Sequence, residues 1–219
     1  MTASAPKPEP LPPHTLRVYA TAWPVTALGP GQRFVVWVSG CGRQCPRCVS
    51  PEMQPPDAGR DVPIPILARR ILTVPVHLDG ITISGGEPLD QPEGLNALLR
   101  TIWTEKPDWS IMVYTGYRLE EIMADPARRE AVIGLTDIII EGPFRVSLPS
   151  DHPLKGSANQ RIVALSDRGR ALLRQLNIHA LPRFNAGLGA YNSPDMIIGI
   201  PPLGRDVCGS LSGKSPCGT

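Results

Sequence analysis

Three cysteines stand within one short loop, "GCGRQCPRCVS" (40–50): Cys41, Cys45 and Cys48. Thiolates are soft donors that suit zinc and iron–sulfur centres. Structural zinc takes four protein ligands, and an iron–sulfur cube usually takes four cysteines. Three thiols spaced C-x3-C-x2-C can hold three irons of a [4Fe–4S] cluster and leave the fourth iron open to another ligand. Gly40 and Gly42 let the backbone pass close to such a cluster. The alternative is a zinc knuckle that borrows a fourth ligand, such as His77 or Cys208.

A second group of residues narrows the choice. "ITISGGEPL" (81–89) places Ser84, Gly85, Gly86 and Glu87 at the end of an apolar run, with Pro88 fixing the turn. Two glycines permit a tight backbone approach, and a carboxylate or carbonyl beside them suits an ammonium group. "VYTGY" (113–117) ends another apolar run in Thr115 and Gly116, which read either as neighbours of a ribose or carboxylate or as an ordinary strand terminus.

The surrounding segments must position these groups. "TLRVYATA" (15–22), "RFVVWVSG" (33–40), "GITIS" (80–84), "SIMVYTG" (110–116), "TDIIIEGPF" (136–144) and "RIVAL" (161–165) read as strands rich in branched side chains. Between them lie helical patterns at 64–73, 92–105 and in "LEEIMAD" and "PARREAVIGL", with another at 167–176; Leu95, Leu98, Leu99 and Ile102 form one stripe. Near-continuous apolar strands alternating with helices predict an α/β fold, a sheet of parallel strands with helices outside. In such sheets ligands sit beyond the carboxyl ends of the strands. The cysteine loop, "SGGEP", "YTGY" and "EGPF" each follow a strand, so one site is expected from four loops far apart in sequence.

These motifs together resemble the radical S-adenosylmethionine superfamily, and more narrowly the activating enzymes of anaerobic ribonucleotide reductase. "GCGRQCPRC", "ITISGGEPL", "VYTGY", "DIIIEGPF" and "KGSANQRI" (155–162) carry the resemblance, over about residues 30 to 165. It implies a partial (β/α) barrel. It also implies a [4Fe–4S] cluster on Cys41, Cys45 and Cys48, with S-adenosylmethionine held by Ser84, Gly85, Gly86, Glu87, Thr115 and Gly116. One electron splits the cosubstrate to a 5′-deoxyadenosyl radical, which takes a hydrogen atom. The implied donor is a glycine of a partner glycyl-radical enzyme; the alternative is a small molecule or peptide in a biosynthetic pathway. A one-electron donor of the flavodoxin or ferredoxin type is implied as well. Asn159 and Arg161 would reach the cosubstrate or a partner backbone, unless Arg161 is a solvated strand flank. Arg47 and Val49 stand where aromatics are common in the superfamily, and Glu141 where the subfamily usually has Asp. These departures bear on the substrate.

Composition sets outer bounds. The chain has 219 residues, 42% hydrophobic and 19% charged, with a net charge of +2. No Lys/Arg block stands out, so neither nucleic acid nor a membrane surface is an expected partner. The Pro-rich start lacks the apolar core of a signal peptide, and no apolar run approaches a membrane span. A cytoplasmic location is therefore expected, where clustered cysteines serve metals or redox chemistry more than disulfides. The expected organisation is a flexible leader and first strand (1–24), a core (25–176) and a C-terminal extension (177–219). Within the extension "DMIIGIPP" could form an extra strand over the barrel mouth. Trp37, Met112 and Met123 read as packing residues.

Overall fold

A computed structural model describes residues 14–190 and 195–200. One mixed sheet runs through it, with strand order β7-β6-β5-β4-β2-β1-β8-β9 and β3 paired to β1. The strands are β1 (Thr15–Val25), β2 (Arg33–Val38), β3 (Arg60–Pro63), β4 (Gly80–Gly85), β5 (Ser110–Tyr114), β6 (Ile138–Glu141), β7 (Arg161–Ala164), β8 (Phe184–Ala190) and β9 (Asp195–Gly199). The helices are α1 (Ile64–Leu72), α2 (Pro92–Glu105), α3 (Leu119–Ala124), α4 (Pro126–Val132) and α5 (Asp167–Gln175). The sheet does not close, which makes the expected partial barrel an open one.

Only the centre is parallel: β2, β4, β5 and β6 pair in that order. A helix precedes each of the last three, which gives the chain the length a parallel crossover needs. The flanks depart from the all-parallel expectation. β1 runs antiparallel to β2, because the link between them is too short for a crossover. β7 is antiparallel to β6, whose connecting segment contains no helix, and β8 and β9 form an antiparallel pair on β1.

Period-two alternation sorts the side chains. Phe34, Val36, Val38, Ile81, Ile83, Ile111, Val113 and Ile139 face α1–α4 in one core with Leu67, Ile71, Leu95, Leu98, Leu99 and Ile102. The helical stripe read from the sequence is thus the buried face of α2. Each such side chain contributes roughly 1.5–3 kcal/mol by leaving water. The alternate residues, Val35 and Trp37 on β2 and Met112, Ile138 and Ile140 on β5 and β6, point to the other face, where α5 covers only the β5–β6 side. The other face is therefore left partly open.

One charged residue lies inside the sheet. Arg33 is 0% exposed at the start of β2. Its guanidinium donates to Thr82 Oγ1 (2.6 Å), Ser110 Oγ (2.9 Å) and the carbonyls of Pro30 (3.0 Å), Ile81 (2.6 Å) and Ser110 (2.8 Å). It joins the amino ends of β2, β4 and β5, and burial lowers its pKa to about 10.

Candidate cluster and cosubstrate site

The cysteine loop leaves the carboxyl end of β2 and is held at several points. Gly40 N and Cys41 N donate to Met53 O (2.9 Å) and Gln54 O (3.0 Å), Glu87 N donates to Gly40 O (2.9 Å), and Cys48 N donates to Cys45 O (3.2 Å). Gly42 N donates to Asp90 Oδ2 at 2.8 Å. Gly40, Gln44 and Arg47 have φ of 91°, 42° and 54°. The left-handed turns at Gln44 and Arg47 are uncommon for non-glycine residues and bend the chain just before the second and just before the third thiol.

The "GGEP" loop fits against this one by lacking side chains. Gly85 has φ of 107°, and a Cβ there would sit 2.4 Å from Val38 N and O. A Cβ on Gly86 would meet Gly40 O at 2.4 Å and Met53 O at 2.8 Å. Gly85 thus admits the end of β2 and Gly86 the start of the cysteine loop, and Gly86 does not face empty space.

Glu87 joins this loop to the next. It is 1% exposed. Its Oε1 accepts from Thr115 Oγ1 (2.7 Å) and Leu89 N (3.0 Å), and its Oε2 accepts from Gly116 N (2.7 Å). Three of roughly four lone-pair positions of the carboxylate are taken, leaving one on Oε2. Burial pushes the Glu87 carboxyl up to about 7, against the pull of those three donors.

All the expected residues meet. Cys41, Cys45, Cys48, Ser84, Gly85, Gly86, Glu87, Thr115 and Gly116 line a single open cleft at the carboxyl ends of the parallel strands. The thiols are free and partly exposed. Burial pushes Cys41 up to about 11, with the Glu87 and Asp90 carboxylates adding to the shift, so metal loading there must displace a proton. Three soft thiol donors in one loop fit an iron–sulfur cluster. His77 does not complete a zinc set. It precedes β4, at the opposite end of the parallel strands, with its side chain 83% exposed and 3.4 Å from Asp79. Cys208 lies outside the described residues.

The "KGSANQRI" segment contributes differently than expected. Gly156 and Gln160 line the cleft, whereas Asn159 and Arg161 line a neighbouring charged groove. Gln160 is fixed by Gly156 N on its Oε1 (2.8 Å) and by donating to Gly142 O (3.1 Å). Arg161 is a half-exposed flank of β7 that pairs with buried Glu141 and with Glu120 at 2.8 Å. Asn159 donates to Pro143 O, and its buried Oδ1 has no partner. Phe144, Leu28 and Ile200 add apolar walls, and Gly199 at the end of β9 lies beside them, so the "DMIIGIPP" strand does border the cleft.

Two comparisons bear on this cleft. Residues 27–163 match the family model of the 4Fe-4S single cluster domain. The anaerobic ribonucleoside-triphosphate reductase-activating protein of Salmonella typhi is 33% identical over 151 residues, covering 65% of this chain and 95% of that protein. The chain belongs to this family of activating proteins. Its member from Escherichia coli K12 is 29% identical over 150 residues with the same coverage, and the one from phage T4 is 28% identical over 144 residues. The family match ends near β7, so α5, β8 and β9 lie outside it.

Four residues that motif reading passed over, Tyr117, Asp90, Arg43 and Arg128, form a cluster beside this cleft, and Arg43 alone of them lines it. Tyr117 donates to Asp90 Oδ1 at 2.6 Å, and the guanidiniums of Arg43 and Arg128 lie 4.7 Å and 4.0 Å from its ring centroid. The second tyrosine of "YTGY" was the available signal. Its partners are scattered along the chain, which hid the arrangement.

Proposed function

We propose that this radical S-adenosylmethionine activating enzyme generates a radical on a glycine of a partner anaerobic ribonucleotide reductase. The carrying observation is that three cysteines and the six "SGGE" and "TG" residues line one cleft. Cys41, Cys45 and Cys48 would hold three irons of a [4Fe–4S] cluster. Bound there, the cluster supplies the electron that splits the sulfonium bond of S-adenosylmethionine, giving methionine and a carbon radical that removes a hydrogen atom.

The chain's own residues bind, orient and exclude water. The Ser84 hydroxyl, the Gly85–Gly86 carbonyls and the remaining lone pair of Glu87 Oε2 offer acceptors to an ammonium group. Glu87 also fixes Thr115 and Gly116 at the cleft edge, where the hydroxyl and backbone are placed for a ribose or carboxylate. Phe144, Leu28 and Ile200 keep water from the radical. The open sheet leaves room for an extended loop, and a glycine Cα radical is favoured because it delocalises over both flanking amides. The electron would come from a flavodoxin- or ferredoxin-type donor.

The test is anaerobic reconstitution with iron and sulfide, reduction with dithionite beside S-adenosylmethionine, and assay for 5′-deoxyadenosine. With the glycyl-radical enzyme of the same genome added, the expected electron paramagnetic resonance signal is a doublet, split by the one remaining glycine α-hydrogen. 5′-Deoxyadenosine without any protein radical would instead favour a small molecule or peptide. That reading draws on Gly199 and Ile200, cleft residues outside the family match.

A further inference from the structure

Arg43 lies between the first two thiols and lines the cleft with them. The charged side chains lining that cleft are Arg43 and Glu87, so Arg43 is its cation among the described residues. Nothing in the motif chemistry requires a cation there, since the three thiols hold the irons. Yet the structure fixes this side chain on two sides. Arg43 Nη1 donates to Glu121 Oε1 of α3 at 3.0 Å, and its guanidinium sits over Tyr117 at 4.7 Å.

The same tyrosine controls the adjoining backbone. Asp90 accepts from the Tyr117 hydroxyl on one oxygen (2.6 Å) and from Gly42 N on the other (2.8 Å). Arg128 Nη2 donates to the Tyr117 hydroxyl at 3.0 Å, and Gly142 N donates to Tyr117 O at 3.0 Å. Gly42 and Arg43 are therefore both tethered to one residue after β5. Space confirms the fit: a Cβ on Gly116 would lie 3.2 Å from Arg43 Cγ.

We propose that Arg43, held by Tyr117 and Glu121, is a positioning residue that sets the reduction potential of the cluster, and that Tyr117 and Asp90 tether the cluster-binding loop. The proposal rests on the cluster assignment made above. Iron–sulfur potentials depend on the net charge around the cluster. A nearby cation favours the reduced, more negative state. Glu121 offsets part of that charge, and its side chain is 42% exposed against 22% for Arg43, so the arginine is the more sheltered partner. The two members of the pair must then act with opposite sign, which mere loosening of the fold cannot imitate.

The experiment uses the full-length chain, reconstituted anaerobically, with the potential read by spectroscopic redox titration without cosubstrate. Arg43→Gln is expected to shift the potential to more negative values, Arg43→Lys to restore most of the shift, and Glu121→Gln to move it the other way. Tyr117→Phe keeps the ring beside Arg43 and removes the bond to Asp90. Iron release to a chelator should then be about tenfold faster, the factor carried by one charge-assisted hydrogen bond. Potentials for Arg43→Gln and Glu121→Gln that equal wild type, or move in one direction, overturn the electrostatic role. Wild-type iron release from Tyr117→Phe overturns the tether. If Arg43→Gln takes up no cluster, Glu121→Gln decides alone, and the absence of an upward shift overturns the role. Failure of the wild-type chain to hold any cluster would instead defeat the cluster assignment itself.

Discussion

Glu87 and Thr115 meet carboxylate to hydroxyl at 2.7 Å, across the carboxyl ends of the neighbouring strands β4 and β5. The contact makes two motifs one device. Removing the carboxylate frees the "TG" turn as well as the face offered to an ammonium group. Glu87→Gln keeps the size but places an amide where donors converge. S-Adenosylmethionine affinity should fall by about 1–3 kcal/mol, the worth of a charge-assisted bond, with iron content unchanged. Equilibrium binding to the reconstituted protein checks this, and wild-type affinity would limit Glu87 to a structural turn.

The same group predicts a pH dependence. Its folded pKa of about 7 lies above the ordinary carboxyl value of 4.5. The folded chain thus holds this proton more tightly than the unfolded chain. That stability is fully present below about pH 4.5 and is lost as pH rises through about 7. The unfolding free energy of the cluster-free wild type, relative to Glu87→Gln, should fall by roughly 3 kcal/mol between these limits. Urea titrations of both proteins at pH 4.5 and 7.5 measure the difference.

Gly86→Val separates a backbone role from an open pocket. Because a Cβ would strike Gly40 O at 2.4 Å, the substitution should displace the cysteine loop. Iron loading and cosubstrate binding should then fall together. An intact cluster with only binding lost would show that the space beside Gly86 belongs to the ligand. Iron analysis and absorption after reconstitution distinguish the two.

Each thiol is separately required. The reconstituted wild type should carry about four irons per chain, the cubane stoichiometry, and Cys41→Ala, Cys45→Ala or Cys48→Ala should each lose the iron–sulfur absorption. Tight zinc in anaerobically purified protein, with no absorption after reconstitution, would contradict this.

Gly94→Ala tests the frame. Alanine improves helix propensity by under about 1 kcal/mol, but its Cβ would lie 2.1 Å from Thr15 O, where α2 meets β1. The clash should prevail, for a net loss of about 1–2 kcal/mol and a Tm lower by roughly 2–8 °C at this chain length. A calorimetric scan checks it.

The centre of the fold was legible because its signals are local. β2, β4, β5 and β6 are short runs of branched residues, and α2 shows its buried stripe in four aliphatic side chains. Other parts depend on distant partners. β3, "RDVP", and β8, "FNAGLGA", have little strand propensity of their own and are strands because β1 offers them an edge. In the site, motifs identified which loops converge but not which of two adjacent side chains enters. Gln160 lines the cleft and Asn159 the groove beside it, because the turn closed by Gln160 N on Ser157 O sets their directions. The Arg43–Tyr117–Asp90 contacts join residues that no short window contains.

The burial of Arg33 has a mechanical consequence. Its guanidinium rivets three parallel strands at the end away from the cleft, through four buried bonds from β2 to β4 and β5. Opening those strands from that end would strand a cation among unsatisfied carbonyls, so the sheet is stiff at its base and yields at its rim. Amide protection should fall along β4 from Ile81 toward Gly85. A partner chain arriving at the rim would meet loops joined to one another above a base that this cation holds together.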